Sequence, residues 1–281
     1  MLNALSVDVE DWFQVGAFET VIGREQWDGL DQRVERNGEA VLELFAEAGV
    51  KATFFTLGWV AERHPALIRR AAEAGHEIAS HGWDHKRVFT LGEEAFRADV
   101  RRAHDAIASA AGIEPKGYRA PSFSIDKRTP WAHRVLAEAG YAYSSSVAPI
   151  AHDHYGWPEA PRFAHRPLPD SELIELPVTT VEVAGRRLAA GGGGFFRLLP
   201  YRFSSWAIGR VNEGEGRPAG FYFHPWEIDP GQPRVAGAPL KSRLRHYSRL
   251  SAMRPKLLKL LKAHEWGRTD QVVERERERL S

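Results

Sequence analysis

The chain has no cysteine in 281 residues. That excludes disulfides, a thiolate nucleophile and a closed, cysteine-ligated zinc site, so any metal would be held by nitrogen and oxygen and could keep positions open for water or substrate. Charge of one sign is lacking as well: 38 Lys and Arg against 37 Asp and Glu give a formal charge of +1. No global argument for nucleic acid or another polyanion follows, although the tail is locally basic. No stretch approaches the roughly 18 apolar residues of a membrane span, and Met1 to Val7 runs into a strand-like segment without a basic leader, so no membrane span and a cytoplasmic location are expected. With 43% hydrophobic and 27% charged residues, the composition is that of a globular chain with a sizeable core. The length favours one main domain with additions.

Short apolar runs alternate with helical patterns. Ala4 to Val9 reads as a strand; Asn37 to Ala48 has Val41, Leu42, Leu44 and Phe45 at helical spacing and stops at Gly49; residues 51–58 are strand-like. Residues 59–74 are helical, 76–80 form the next strand, and helices follow at about 92–111 and 130–139. Alternation of this kind implies βαβ units and a parallel sheet, an α/β barrel or doubly wound, with ligand chemistry at the C-terminal ends of the strands. Seven prolines and the run Gly191 to Gly194 break the rhythm over 148–200, which reads as a substrate-facing insertion with short strands. Regularity returns in the strand Gly220 to His224. From Leu240 the chain is helical and basic, and the charged run Glu274 to Arg279 reads as a solvated helix end or frayed tail.

The strand ends carry the chemistry. The first, Ser6-Val7-Asp8-Val9-Glu10-Asp11-Trp12, puts Asp8 and Glu10 on one face and Asp11 at the turn. Three carboxylates so close repel unless a cation neutralises them, although Asp11 could equally cap a helix. The third strand opens into His81-Gly82-Trp83-Asp84-His85, whose two histidines could share a divalent ion with a carboxylate. Twelve histidines would also give close pairs by chance. Arg119 stands at another strand end, where it could orient a carboxylate or sit in a surface ion pair. His224 closes the last strand and is either a general acid or structural. Trp12, Trp83, Phe123, Phe195, Phe196 and Trp226 lie near these motifs, as stacking faces for a ligand or as core.

The order of these pieces resembles the polysaccharide deacetylases, the NodB-homology group of carbohydrate esterases, over roughly residues 3–230. The resemblance implies a distorted (β/α) barrel over residues 1–235 with a C-terminal helical extension over 236–281. It makes Asp8 the catalytic base, Arg119 the residue orienting it and His224 the acid, with His81 and His85 as metal ligands. The implied metal is Zn2+, with Co2+ or Ni2+ as alternatives, and the substrate an N-acetylated oligo- or polysaccharide. The family has adjacent aspartates where this chain has Asp8-Val9-Glu10-Asp11, so the metal carboxylate is Glu10 or Asp11. Strand alternation favours Glu10. Gly82 stands where the family has Ser or Thr. Four longer runs, beginning at Ser6, Arg119, Gly192 and Phe223, look like the subgroup encoded beside exosortase and exopolysaccharide genes, except that Ser144 replaces its usual Asp. Two other readings remain: a cyclic imide or ureide hydrolase on the same barrel, and an inactive carbohydrate-binding protein. Keeping acid and base together argues against the latter.

Overall fold

The structure is a computed structural model that describes residues 1–151 and 156–280. Its centre is a curled, parallel sheet. Strand β1 (Asn3–Val9) is buried along its whole length, as a strand covered on both faces must be. Beside it run β2 (Thr53–Thr56), β3 (Glu77–Ser80), β4 (Gly117–Tyr118), β5 (Tyr143–Ser144) and β6 (Ile174–Glu175), each parallel to the last. A hairpin of β7 (Thr180–Val183) and β8 (Arg186–Ala189) follows, and β9 (Gly220–Phe223) returns to the other edge of β1. β6 and β9 do not pair. The segment between them spans the gap instead, with the Gly220 N–H donating to Thr179 Oγ1 at 2.6 Å and the Tyr222 N–H to the Gly191 carbonyl at 2.7 Å. The result is an incompletely closed (β/α) barrel.

Helices cover the outside. α1 (Val34–Ala48) buries Val34, Val41, Leu44 and Phe45, and Gly49 ends it in the left-handed conformation at φ +68°. Its first turn lies upstream of the sequence-predicted start because Asn37 and Gly38 are weak helix formers, yet both are buried here against neighbours. His64 and Pro65 divide the single helix expected over 59–74 into α2 (Gly58–Arg63) and α3 (Pro65–Glu73), since a proline supplies no N–H to continue the ladder. α4 (Glu93–Ala111) and α5 (Ala132–Glu138) match their sequence patterns closely.

One expectation changes and another narrows. The span 148–200, part of which lies outside the described residues, is not all insertion, because Ile174 and Glu175 form a buried strand of the main sheet. A two-residue strand among prolines carries no periodicity to detect. Of the two readings of the charged run Glu274 to Arg279, the solvated helix end holds, with only Glu276 of the run buried, and the frayed tail does not. After α6 (Gly193–Leu198), α7 (Tyr201–Gly209), α8 (Leu240–Tyr247) and α9 (Leu250–Ala263), strand β10 (Trp266–Gly267) pairs with the start of β1. Helix α10 (Thr269–Leu280) then buries Val272, Val273 and Glu276. Leu257, Leu260, Leu261 and Trp266 share the core that holds Leu5, Val7 and Phe221.

Candidate metal centre and active site

At the C-terminal end of β1 the chain passes from strand to turn, and its three carboxylates part company. Asp8 is buried and takes the Arg119 guanidinium on Oδ1 at 2.6 Å. Arg119 is itself fixed by Ser6 Oγ at 2.8 Å, by the Ser145 carbonyl and hydroxyl at 3.2 and 3.1 Å, and by the Phe55 ring 4.0 Å below it. Asp11 turns away. Its Oδ1 accepts the Trp12 N–H at 2.8 Å, and its Oδ2 accepts those of Arg33 and Val34 at 2.6 and 3.0 Å, which caps the start of α1. Burial pushes its carboxyl up to about 6 despite these donors.

Glu10 points the other way, toward the histidines. A donor atom from each of Glu10, His81 and His85 lies within 4.8 Å of the others, and all three residues are buried. His85 Nε2 is 3.0 Å from Glu10 Oε2, yet that oxygen has no well-aligned hydrogen bond. A buried carboxylate oxygen left without a donor is what a cation site requires. The His81 Nδ1–H donates to the Arg119 carbonyl at 2.8 Å, because a carbonyl can only accept, and this leaves the Nε2 lone pair for a metal. Burial holds His81 down to about 4, the neutral form a ligand needs. Burial would raise Glu10, but His85, His224 and His81 outweigh it and bring the carboxyl to about 2. The donor set therefore fits a divalent ion.

The loop that presents His85 is built for it. His85 lies at φ +59° and Gly82 at φ +74°. A Cβ on Gly82 would come 3.0 Å from Asp99 Oδ2, so glycine suits the turn where the family has a hydroxyl residue. Ser80 Oγ accepts the Gly82 N–H and Asp99 the Trp83 N–H, bracing the loop from outside. Ser144 also has an account: it pairs in register with the buried Glu175, whose carboxylate accepts the N–H groups of Ser146 and Val147. A second carboxylate at position 144 would face it at close range.

His224, from the end of β9, completes the pocket. Its Nε2 is 4.0 Å from Asp8 Oδ2 and 3.5 Å from Glu10 Oε1, while Nδ1 donates to Glu227 Oε1 at 2.8 Å. Burial pushes this imidazole down, but Glu10, Glu227 and Asp8 together raise it to about 9. Glu227 is in turn paired with Arg197 at 2.6 Å, both fully enclosed. Sequence reasoning missed Glu227 and Arg197 as site residues. The signal for Glu227 was available, since an acid three residues after a strand-ending histidine can reach back to it. Arg197 had none, lying on another element. Among the suggested stacking aromatics, only Phe195 is exposed, at 41%; Trp12, Trp83, Phe123, Phe196 and Trp226 are buried.

The arrangement defines a class: a curled (β/α) barrel with a two-histidine, one-carboxylate cation pocket at its C-terminal rim, flanked by a paired aspartate and a carboxylate-backed histidine. Residues 28–144 match the polysaccharide deacetylase family, and residues 145–274 match a domain of unknown function, DUF3473. Over residues 28–144 the chain thus carries the sequence pattern of a polysaccharide deacetylase domain. It is 32% identical over 93 residues to a peptidoglycan-N-acetylglucosamine deacetylase of Bacillus cereus, which covers 33% of this chain and 34% of that protein. It is 39% identical over 70 residues to a chitooligosaccharide deacetylase of Rhizobium leguminosarum bv. trifolii, 25% of this chain and 33% of that one. The matched segments thus span about a third of those relatives. A solved structure from Mycobacterium smegmatis, assigned as a polysaccharide deacetylase, superposes with a TM-score of 0.63 at 22% identity, covering 100% of this chain and 91% of that one. An allantoinase structure gives 0.60 at 16% identity, covering 97% and 89%. At such identities these two speak to the fold alone.

Proposed function

We propose that the chain is a metal-dependent hydrolase that removes N-acetyl groups from amino-sugar residues of a polysaccharide, in exopolysaccharide biosynthesis. One observation carries the reading: the orphaned Glu10 oxygen shares a pocket with His81 and His85, with Asp8 on one side and His224 on the other. A divalent cation there, zinc in the first place, would polarise the acetyl carbonyl and acidify a water. Asp8 then takes the proton of the attacking water, its second oxygen held by Arg119 so that Oδ2 faces the pocket. His224 has the opposite task. Its Nδ1–H is committed to Glu227, so Nε2, which faces Asp8 and Glu10, delivers a proton to the departing amine. Acid and base are separate groups with their own carboxylate or guanidinium partner, as amide hydrolysis demands and simple carbohydrate binding does not.

The exopolysaccharide setting is supported by the four sequence runs shared with that subgroup. The test is metal content together with acetate release from N-acetylated oligosaccharides of increasing length. Acetate release that rises with chain length in the zinc-loaded protein is the expected result. Zinc-loaded protein that releases none, yet opens a cyclic ureide, would overturn the reading.

A further inference from the structure

The C-terminal segment reaches the pocket through one side chain. His246, in the last turn of α8, is buried and lies flat on Trp226, with ring centroids 4.1 Å apart and planes at 16°. On the other face of Trp226 lies His224, at 5.1 Å and 17°. Trp226 also donates its Nε1–H to Glu10 Oε1 at 3.2 Å. One indole thus touches both the proposed acid and the proposed metal carboxylate, and His246 is what holds that indole from behind.

His246 is fastened on every side. Gln232 gives both its amide hydrogens to backbone carbonyls, of Trp226 and Asp229, so its oxygen accepts the His246 Nε2–H at 2.6 Å. Arg197 donates to the carbonyls of Arg245, His246 and Ser248, ending α8 with a guanidinium as well as holding Glu227. Phe18 packs on the imidazole at 4.5 Å. A buried aromatic ring with this many ties has no work in the hydrolytic steps above, because Trp226 separates it from Asp8, Glu10 and the substrate side of His224.

We infer that His246 is a positioning residue, which clamps Trp226 between two imidazoles and so fixes the direction of the Glu10 carboxylate and the plane of the His224 ring. The role rests on the assignment of Glu10 as a metal ligand. Partners that hydrogen-bond a ligating carboxylate govern its orientation, and their loss costs roughly 10–100-fold in metal affinity or activity.

The test is zinc titration by calorimetry into metal-free protein, followed by kinetics on an N-acetylated oligosaccharide. His246→Ala and His246→Leu should each weaken zinc binding by about 10-fold or more and lower kcat with little change in KM. His246→Phe, which keeps a flat ring on Trp226, should recover most of the loss. Leu257→Ala, a core change in α9, should lower Tm without altering zinc affinity. A folded alanine or leucine variant with wild-type zinc affinity would overturn the inference, and the leucine variant decides if the alanine one does not fold. An equal loss in Leu257→Ala would also overturn it, as a general packing effect. Wild-type protein that binds zinc but releases no acetate would overturn the deacetylase reading and leave the affinity series to decide the role of His246. Wild-type protein that binds no zinc would overturn both.

Discussion

Asp8, Glu10 and Asp11 come from one strand end, yet each faces a different partner, and single substitutions should separate them. Asp8→Asn should keep zinc and lose turnover, because it leaves Glu10, His81 and His85 untouched. Glu10→Gln should empty the site, whereas Asp11→Asn should cost about 1 kcal/mol of stability through the weakened cap on α1 and leave the metal in place. Metal analysis and thermal melts distinguish these outcomes, and loss of zinc in Asp11→Asn alone would reassign the ligand. The position of Glu10 was legible from strand alternation; the capping role of Asp11 was legible only as one of two choices, because the helix it caps begins more than twenty residues downstream. His224 carries the second prediction. If it protonates an amine, His224→Ala should lose about 10²–10⁴-fold in turnover on an N-acetyl substrate and far less on an activated O-acetyl ester, whose leaving group needs no proton. Equal losses on both would make it a positioning or oxyanion group.

The elements show where sequence reading succeeds and where it stops. α1, α4, β1 and β3 were legible because each has enough residues to display its period and a glycine or strand end to stop it. β4 is only two residues long and was placed by the helix before it and Arg119 at its end, whereas β6 and β10, equally short, have their identity in hydrogen bonds to neighbours far along the chain. The glycine run at 191–194 was legible as a break but not for its purpose. A Cβ on Gly193 would lie 2.3 Å from Glu227 Oε1, and one on Gly191 only 2.2 Å from the Gly220 carbonyl, so the run exists to let backbone close on β9 and on the carboxylate behind His224. Gly193→Ala should therefore displace Glu227, keep zinc, and cut amide turnover by up to about 10²-fold, as small misplacements of catalytic groups do. Wild-type turnover in that variant would mean that Glu227 does not orient the acid.

Across the whole molecule, the boundary between the two matched families, at residues 144 and 145, falls inside the sheet, where β5 and β6 pair across it. The pocket ignores it too: Asp8 and Glu10 precede the deacetylase match, and His224, Glu227, Arg197 and His246 all lie in the other. The chain closes on itself at the opposite end of the strands as well, through a buried carboxyl. Glu77, at the start of β3, accepts Tyr143 OH at 2.9 Å, Thr53 Oγ1 at 2.5 Å and the Asp270 N–H of α10 at 3.1 Å. Burial and the nearby Asp270 carboxylate push it up to about 7. A carboxyl raised in the folded state binds a proton that the unfolded chain has already released, so its contribution to stability is complete below about 4.5 and disappears as pH rises through 7. The upper limit is about 3 kcal/mol, from the worth of a pKa unit. His76, which burial holds down to about 4, works in the other direction as pH falls below about 6.5. Comparing the wild type with Glu77→Gln cancels that term. The difference in Tm between them should swing in favour of the variant as pH is raised from about 5 to 8, since glutamine stays neutral beneath α10 at every pH; a difference that does not change with pH would show that Glu77 is ionised in the folded protein throughout.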